Sequence, residues 1–263
     1  MTAPAVTRQW SARAVRVAVS LVVPVAIVVT WWFASMDNVS PFYPPLQKIL
    51  ETFGENWVFE RVASDVLPSL GRMFAGFAIA VVLGVGLGAL LGRLPLVAHA
   101  LNPVLQFGRA LPATALVPVS IVLLGIGATP KITLIAFVSL FPILLNTIDG
   151  VRNVDPVLED ICRSFRLTRL QRVLHVQLPA AAPQVLAGMR IALSVAFVMM
   201  VVTELVAATN GIGYVTLIAQ QSFQVSLMWS GMLLLGILGV FVNGLFVLVE
   251  RRLLRWYTQD REN

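Results

Sequence analysis

Long uncharged runs alternate with short polar breaks along this chain. Residues 17–36, 73–92, 110–130, 132–148 and 205–249 contain no Asp, Glu, Lys or Arg. A helix needs roughly 20 apolar residues to cross the hydrocarbon layer, so these runs predict membrane spans, and the last is long enough for more than one pass. With the apolar stretch after Pro183, six spans are expected, at about 15–35, 68–92, 104–127, 132–148, 184–207 and 229–249. The fold class that follows is an all-α membrane protein of one domain.

The breaks carry their own signals. Residues 1–14 are polar and basic, and the apolar run behind them could be a signal peptide. Its spanning length, with Trp31 and Trp32 where an interfacial anchor sits, favours a retained first helix. After the turn-like SPFYPP at 40–45, Leu46, Ile49, Leu50, Phe53, Trp57 and Val58 recur at helical spacing among Glu51, Glu55 and Glu60. That pattern predicts an amphipathic helix on the outer surface.

In the second span Gly76, Ala80, Gly84, Gly88 and Gly92 form a stripe of small residues that lets another helix come close. The glycines at 84, 86 and 88 brush against a dinucleotide fingerprint but lack its strand–turn–helix setting and later acid, so they read as packing. The third span is interrupted by Pro112 and Pro118, just after Pro103. Freed carbonyls of that kind are tolerated where neighbours or a water-lined cavity satisfy them. Thr209 to Gly213 reads as a turn, and 214–228, with Gln220, Gln221 and Gln224, as a short surface helix.

The longest polar stretch is 150–183, about thirty residues and longer than a simple connector. Val154, Leu158, Ile161 and Phe165 fall on one helical face, as do Leu170, Val173, Leu174 and Gln177 further on. Two short amphipathic helices are expected, then Leu178-Pro179 leading back into the membrane. An apolar stripe facing water needs a partner or the bilayer surface.

Composition agrees: 58% of the residues are hydrophobic and only 12% charged, against about a quarter charged in soluble domains. The net charge of +6 has a membrane explanation, because cations collect on the cytoplasmic side. With six spans both termini share a side. Arg8, Arg13, Arg16, Arg93, Arg152, Arg163, Arg166, Arg169, Arg172, Arg251, Arg252, Arg255 and Arg261 lie there, against Lys48, Arg61 and Lys131 opposite. The termini and the 150–183 loop are therefore expected in the cytoplasm of a multi-pass protein of the cell (plasma or inner) membrane. No aromatic-interleaved basic patch suggests nucleic acid.

Enzymatic chemistry is not visible. A nucleotide-cradling Walker loop needs Gly-Lys followed by Ser or Thr, and Lys48 follows Gln47 while Lys131 follows Pro130. One cysteine, Cys162, excludes an internal disulfide, and His99 and His175 are far apart in sequence, so no metal or cofactor is expected on this chain. Ionisable groups inside spans are rare and face a bundle interior or a cavity. Arg109 lies inside the third span, while Arg72 and Glu204 both fall near the outer end, so Glu204 is expected to pair with Arg72, or alternatively with Arg109. Those three are the candidates for an intramembrane ion pair or pathway site. Arg190 is expected to snorkel to the inner surface, and His175 to be an ordinary loop residue.

The segment Asp155-Pro156-Val157-Leu158-Glu159-Asp160-Ile161-Cys162-Arg163-Ser164-Phe165-Arg166-Leu167-Thr168, reaching Leu178-Pro179, resembles the EAA loop of ABC importer permeases. The wider chain resembles their nitrate/sulfonate/taurine branch, through LPATALVPVSIVLLGIGATPKI at 111–132, Gly188 to Leu193, Thr203-Glu204 and Gly211-Ile212-Gly213-Tyr214. It departs at the family's acidic position (Asp160, or Glu159 with a one-residue slip), at two alanines (Ile161 and Cys162) and at a glycine, here Arg166. A glycine permits a turn that arginine adopts at greater cost.

The resemblance implies the six-span type I importer permease fold, with the coupling (EAA) loop between spans four and five. It implies a non-catalytic subunit whose loop residues 159–166, with Leu178 and Pro179, dock on cytoplasmic ATPase subunits that hold ATP and Mg. A second copy of the permease, an extracellular solute-binding protein and membrane lipid complete the implied partners. A secondary transporter not driven by ATP is the alternative; it predicts inverted repeats, and none is convincing. The substrate is not legible.

Overall fold

The computed structural model describes residues 6–36, 40 and 42–255, and every regular element among them is helical. Asp37, the tail containing Arg261, and the side chains of Arg8, Arg13, Arg16, Glu159 and Arg169 lie outside what is described. Helix α1 spans Val6–Ser35, α2 Leu46–Glu55, α3 Leu67–Gly92, α4 Pro95–Ala110, α5 Leu116–Leu124 and α6 Ala128–Arg152. They are followed by α7 Pro156–Ser164, α8 Arg169–Arg172, α9 Leu178–Ala207, α10 Ile212–Gln221 and α11 Val225–Leu253.

By length and apolarity, Val62–Gly92, Ala128–Arg152, Leu170–Val206 and Val225–Leu253 can each cross a membrane. Pro95–Ala110 and Ala113–Leu124 reach that length only together, and they bend by 76°. The described residues thus give four spans, or five with the bent pair counted as one; the apolar described part of α1, Val22–Ser35, is shorter.

Where the sequence suggests a single span over 104–127, the chain breaks at Leu111-Pro112. Leu111 is extended (ψ 127°), as the ring of a following proline demands. Pro118 falls in the first turn of α5, where no helical partner is lost. The connector read over 150–183 is also shorter than its sequence suggests. Helix α6 runs on to Arg152, and the chain is helical again from Leu170 straight into α9. The second short helix and the fifth span are one rod.

That rod carries a five-residue π-helical stretch, Val173–Gln177, just before Leu178-Pro179, and Leu178 donates its amide to the Val173 carbonyl. A matching stretch, Val62–Val66, precedes Leu67-Pro68, with Leu67 donating to Val62. In both places a proline without an N–H follows, and a wider turn re-partners the backbone around it.

The small-residue stripe of α3 lies against α6. A Cβ placed on Gly76 would stand 2.7 Å from Ile135 Cγ2, one on Gly84 2.8 Å from Ile143 Cγ2 and one on Gly88 2.5 Å from Thr147 Cβ. Only glycine allows this backbone approach, which replaces hydrophobic drive with van der Waals packing inside a bilayer. Helix α9 packs on both α6 and α3, with Gly188 over Asn146 and the Pro142 carbonyl of α6. Met73, Ile135, Leu193, Met199 and Met200 fill the space among α3, α6 and α9.

Helix α2 buries Leu46 and Ile49 and rests on α11. Trp57 donates to Ser230 Oγ at 3.0 Å, and Trp229 donates to the Phe42 carbonyl at 3.2 Å. Trp31 meets Trp229 edge-on at 5.7 Å, which ties α1 to α11. Arg190 forms an ion pair with Glu250 at 2.6 Å, a partner that the snorkelling expectation did not provide. Helix α10 leaves Gln220 and Gln221 exposed but buries Ile212, Val215 and Ala219.

Candidate functional site

Two places concentrate polar chemistry, one at each end of the α3–α6–α9 bundle. At the first, α7 hangs between α6 and the α8–α9 rod. Asp155 caps it, accepting from the Val157 amide at 2.9 Å, and Pro156 occupies the first turn, where a missing donor costs nothing. The helix closes with paired bonds from Leu167 N to Cys162 O and from Arg166 N to Arg163 O, each 3.0 Å, the Schellman arrangement that needs a left-handed residue at its corner.

That corner is Arg166, at φ 51°. The departure from the family's glycine therefore falls on a position where glycine has a conformational reason. A left-handed non-glycine residue costs roughly 1–2 kcal/mol. Arg166→Gly is expected to firm the end of α7 by about 1 kcal/mol, seen as roughly fivefold slower hydrogen exchange at the Phe165–Leu167 amides. Unchanged exchange there would show that the corner is not strained.

Cys162 turns inward and is buried, whereas Val157, Ile161 and Phe165 are 62%, 46% and 76% exposed. Asp160 and Arg163 form an exposed pair at 3.7 Å, of the kind that adds little stability. Ser164 Oγ donates back to the Asp160 carbonyl at 3.0 Å. Leu178 is half-buried and packs with Val151 and Ala181 beneath the loop, and Pro179 is exposed. Residues 160–166 thus share one small helix and its corner, while Leu178 and Pro179 anchor the rod beside it. His175 is exposed, with a ring nitrogen 3.3 Å from the Gln171 carbonyl.

At the opposite end, Glu204 is 1% exposed and fully engaged. Ser69 Oγ donates to its Oε1 at 2.7 Å, the Gly213 amide donates to Oε2 at 3.0 Å, and Arg72 Nη1 lies 3.5 Å from Oε1. Arg72 is braced by the Pro68 carbonyl (2.9 Å) and Asn210 Oδ1 (3.0 Å). Asp65, buried, accepts from the Gly211 amide at 2.8 Å and lies 3.7 Å from Arg61. The Ile212 amide donates to Ser69 Oγ at 3.1 Å. Three consecutive amides of the 211–213 turn are thus held by α3, its preceding π-helical turn and α9, with Glu204 at the centre.

The structure joins Glu204 to Arg72 and leaves Arg109 elsewhere, exposed in the last turn of α4 beside the bend. It also draws in Asp65 and Ser69, which sequence reading missed. Nothing near Asp65 in the sequence marks it as an internal acceptor; only the glycine turn far along the chain makes it one. Lys131 is also buried, at 6% exposure. Its one sequence signal is that it stands alone between two long uncharged runs.

Beside Arg72 and Lys131 opens a cavity of about 440 Å³, bounded by α3, the amino terminus of α6 and the Thr209–Asn210 turn. No group of three or more potential metal ligands occurs among the described residues.

Comparison with known proteins agrees with this picture. The aliphatic sulfonates transport permease protein SsuC of Bacillus subtilis (strain 168) is 31% identical over 238 residues, covering 90% of this chain and 86% of that one. The taurine transport system permease protein TauC of Escherichia coli (strain K12) is 29% identical, covering 89% and 87%. The nitrate import permease protein NrtB of Synechocystis sp. (strain ATCC 27184 / PCC 6803 / Kazusa) is 26% identical, covering 92% and 90%. Among solved structures, the fold is similar to a chain of the inward-facing MetNI methionine ABC transporter, with a TM-score of 0.62 at 19% identity, covering 72% of this chain and 94% of that one. Residues 80–255 match the family described as binding-protein-dependent transport system inner membrane component, and the chain belongs to that family of ABC importer permeases.

Proposed function

We propose that this non-catalytic permease subunit works as one of two copies around a central pathway, imports a small solute bearing an oxyanion group, and is driven by ATPases docked on α7. Family membership sets aside the transporter not driven by ATP. The six-span reading takes α1 and the bent α4–α5 pair as spans beside the four long helices. Orientation is supported by charge: Arg93, Arg152, Arg163, Arg166, Arg172, Arg251 and Arg252 cluster at the α7 end, the expected pattern for a cytoplasmic face. Both termini then lie in the cytoplasm of a multi-pass inner-membrane protein. Sulfonates, taurine and nitrate, named in the relatives, share charged oxygens, which supports the solute class.

The observation that carries the docking reading is the apolar face of α7. Val157, Ile161 and Phe165 point away from the bundle at the arginine-rich end, where an unpartnered apolar patch calls for a binding surface. ATP-driven closure of the two ATPases would pull the α7 helices together and tilt the attached α6 and α9 rods, exposing the pathway to each side in turn. An extracellular binding protein would deliver the solute at the opposite end.

Phe165→Asp tests this. A buried aromatic anchor at an interface contributes about 2 kcal/mol or more, roughly thirtyfold in affinity. The variant should remain in the membrane, lose co-purification with its ATPases and lose uptake of the solute by at least that factor. Normal uptake with normal co-purification would remove the docking role.

A further inference from the structure

Lys131 is placed where a lone cation is least welcome. It is 6% exposed, has no hydrogen-bond or ion-pair partner among the described residues, and its charged neighbours are Arg72 and Glu204. It also sits in the first turn of the 25-residue helix α6, whose amino end no side chain caps. The helix dipole there repels cations and attracts anions. Arg72 already answers Glu204, and Arg61 answers Asp65. Three cations face two carboxylates, and the excess positive charge belongs to Lys131.

A buried charge without a partner is costly, and such groups inside membrane proteins face a cavity or a ligand. Lys131 lines the 440 Å³ cavity, and Arg72, Gly127, Thr209 and Asn210 line it with it. The donors on offer are an ammonium, a guanidinium already oriented by the Pro68 carbonyl and Asn210, and the amides of Ala128 and Thr129 at the uncapped start of α6, where Pro130 offers none. That set suits a small group with several charged oxygens.

We propose that this cavity is an oxyanion-binding site, with Lys131 as its principal charge and Arg72 and the α6 amino terminus completing the cradle. Only the assignment of the bound group to the imported solute rests on the import reading above; the site itself rests on the geometry. An oxyanion of this kind is available from two sources, a free solute or the phosphate of an anionic lipid headgroup.

The test uses the full-length permease in nanodiscs, with thermal unfolding followed by tryptophan fluorescence. In discs of zwitterionic phosphatidylcholine, sodium nitrate and sodium ethanesulfonate are titrated against sodium chloride at constant ionic strength. Discs containing phosphatidylglycerol form the second arm. Wild type and Lys131→Arg are expected to show saturable stabilisation by the free anions, and Lys131→Met about tenfold or weaker apparent affinity. Lys131-dependent stabilisation confined to phosphatidylglycerol discs keeps the oxyanion site and identifies the lipid as its occupant. Equal responses of wild type and Lys131→Met in every arm overturn the site. Melting in chloride alone shows whether Lys131→Met is folded, and Lys131→Arg separates charge from shape.

ATP-driven uptake by the wild-type transporter is measured separately. Uptake without a Lys131-dependent anion response overturns the site and leaves the import reading standing. A Lys131-dependent response without uptake does the reverse.

Discussion

Arg72→Met is expected to lower the stability of the permease by about 3–5 kcal/mol, the loss found when one partner of a buried pair is removed. For a chain of this size that corresponds to a fall of roughly 10 °C in Tm. The reason lies in what stays behind. Glu204, 1% exposed, keeps the hydroxyl of Ser69 and the amide of Gly213 and has the Lys131 charge nearby, but Lys131 makes no ion pair with it that would replace the guanidinium at 3.5 Å. Asn210 also loses the bond that fixes its side chain over the cavity, so the Thr209–Gly213 turn loosens from the same change.

Glu204→Gln is expected to cost less, because the new amide can still accept from Ser69 or Gly213 and the Arg72 left behind keeps the Pro68 carbonyl and Asn210 Oδ1 and lines the cavity. Combined with Arg72→Met, it should recover much of the loss, since the stranded charge is then gone. Thermal unfolding of the two single variants and the double variant in detergent gives the coupling directly. An Arg72→Met protein that melts with wild type would show that the pair contributes nothing to the bundle.

The same cluster shows what a sequence can and cannot reveal. Spans were legible because hydrocarbon tolerates only long uncharged helices, and the stripe at Gly76, Gly84 and Gly88 was legible because close helix packing has a fixed period of four. Glu204 and Arg72 could be matched by depth alone. Asp65 could not, because its partner is the Gly211 amide, 146 positions away, and nothing local marks an acid as an acceptor for a distant turn. Helix ends were read short for a related reason. Charged residues such as Asp149 and Glu250 end an uncharged run, but α6 and α11 extend through them into the polar zone.

The bend at Leu111-Pro112 was visible only as an excess of prolines. Which proline breaks the helix depends on where each one falls. Pro118 lands in a first turn and is harmless, while Pro112 forces Leu111 out of helical geometry. On the α7 loop the pattern of apolar positions was readable, but the left-handed corner at Arg166 required the backbone itself. Lys131 is the extreme case. Its meaning comes from a helix that begins three residues earlier and a cavity built by two other segments.

Gly211→Ala is expected to be as damaging as the loss of Arg72, although it adds one methyl group. Gly211 has φ 121° and ψ 163°, a region of backbone space that is essentially glycine's alone and costs other residues about 1–3 kcal/mol. A Cβ there would also stand 2.4 Å from Glu204 Cδ and 2.5 Å from each carboxylate oxygen. Either the turn or the carboxylate must move. If the carboxylate retreats, it gives up Ser69, Gly213 and Arg72 together, because all of them converge on the same two oxygens. If the turn retreats, the Gly211 amide leaves Asp65 and the Ile212 amide leaves Ser69.

The combined penalty should exceed about 3 kcal/mol, seen as poor recovery of folded protein and a large drop in Tm. Gly236→Ala, at a helical glycine with nothing within 4 Å of the added carbon, supplies the control and should melt close to wild type. The clash and the backbone strain can then be separated. In a Glu204→Ala background the cost of Gly211→Ala should shrink to the backbone part, because the atoms it collides with are gone. An undiminished cost in that background would show that the carboxylate is not what the glycine makes room for, and a Gly211→Ala protein of wild-type stability would show that the turn is not locked at all.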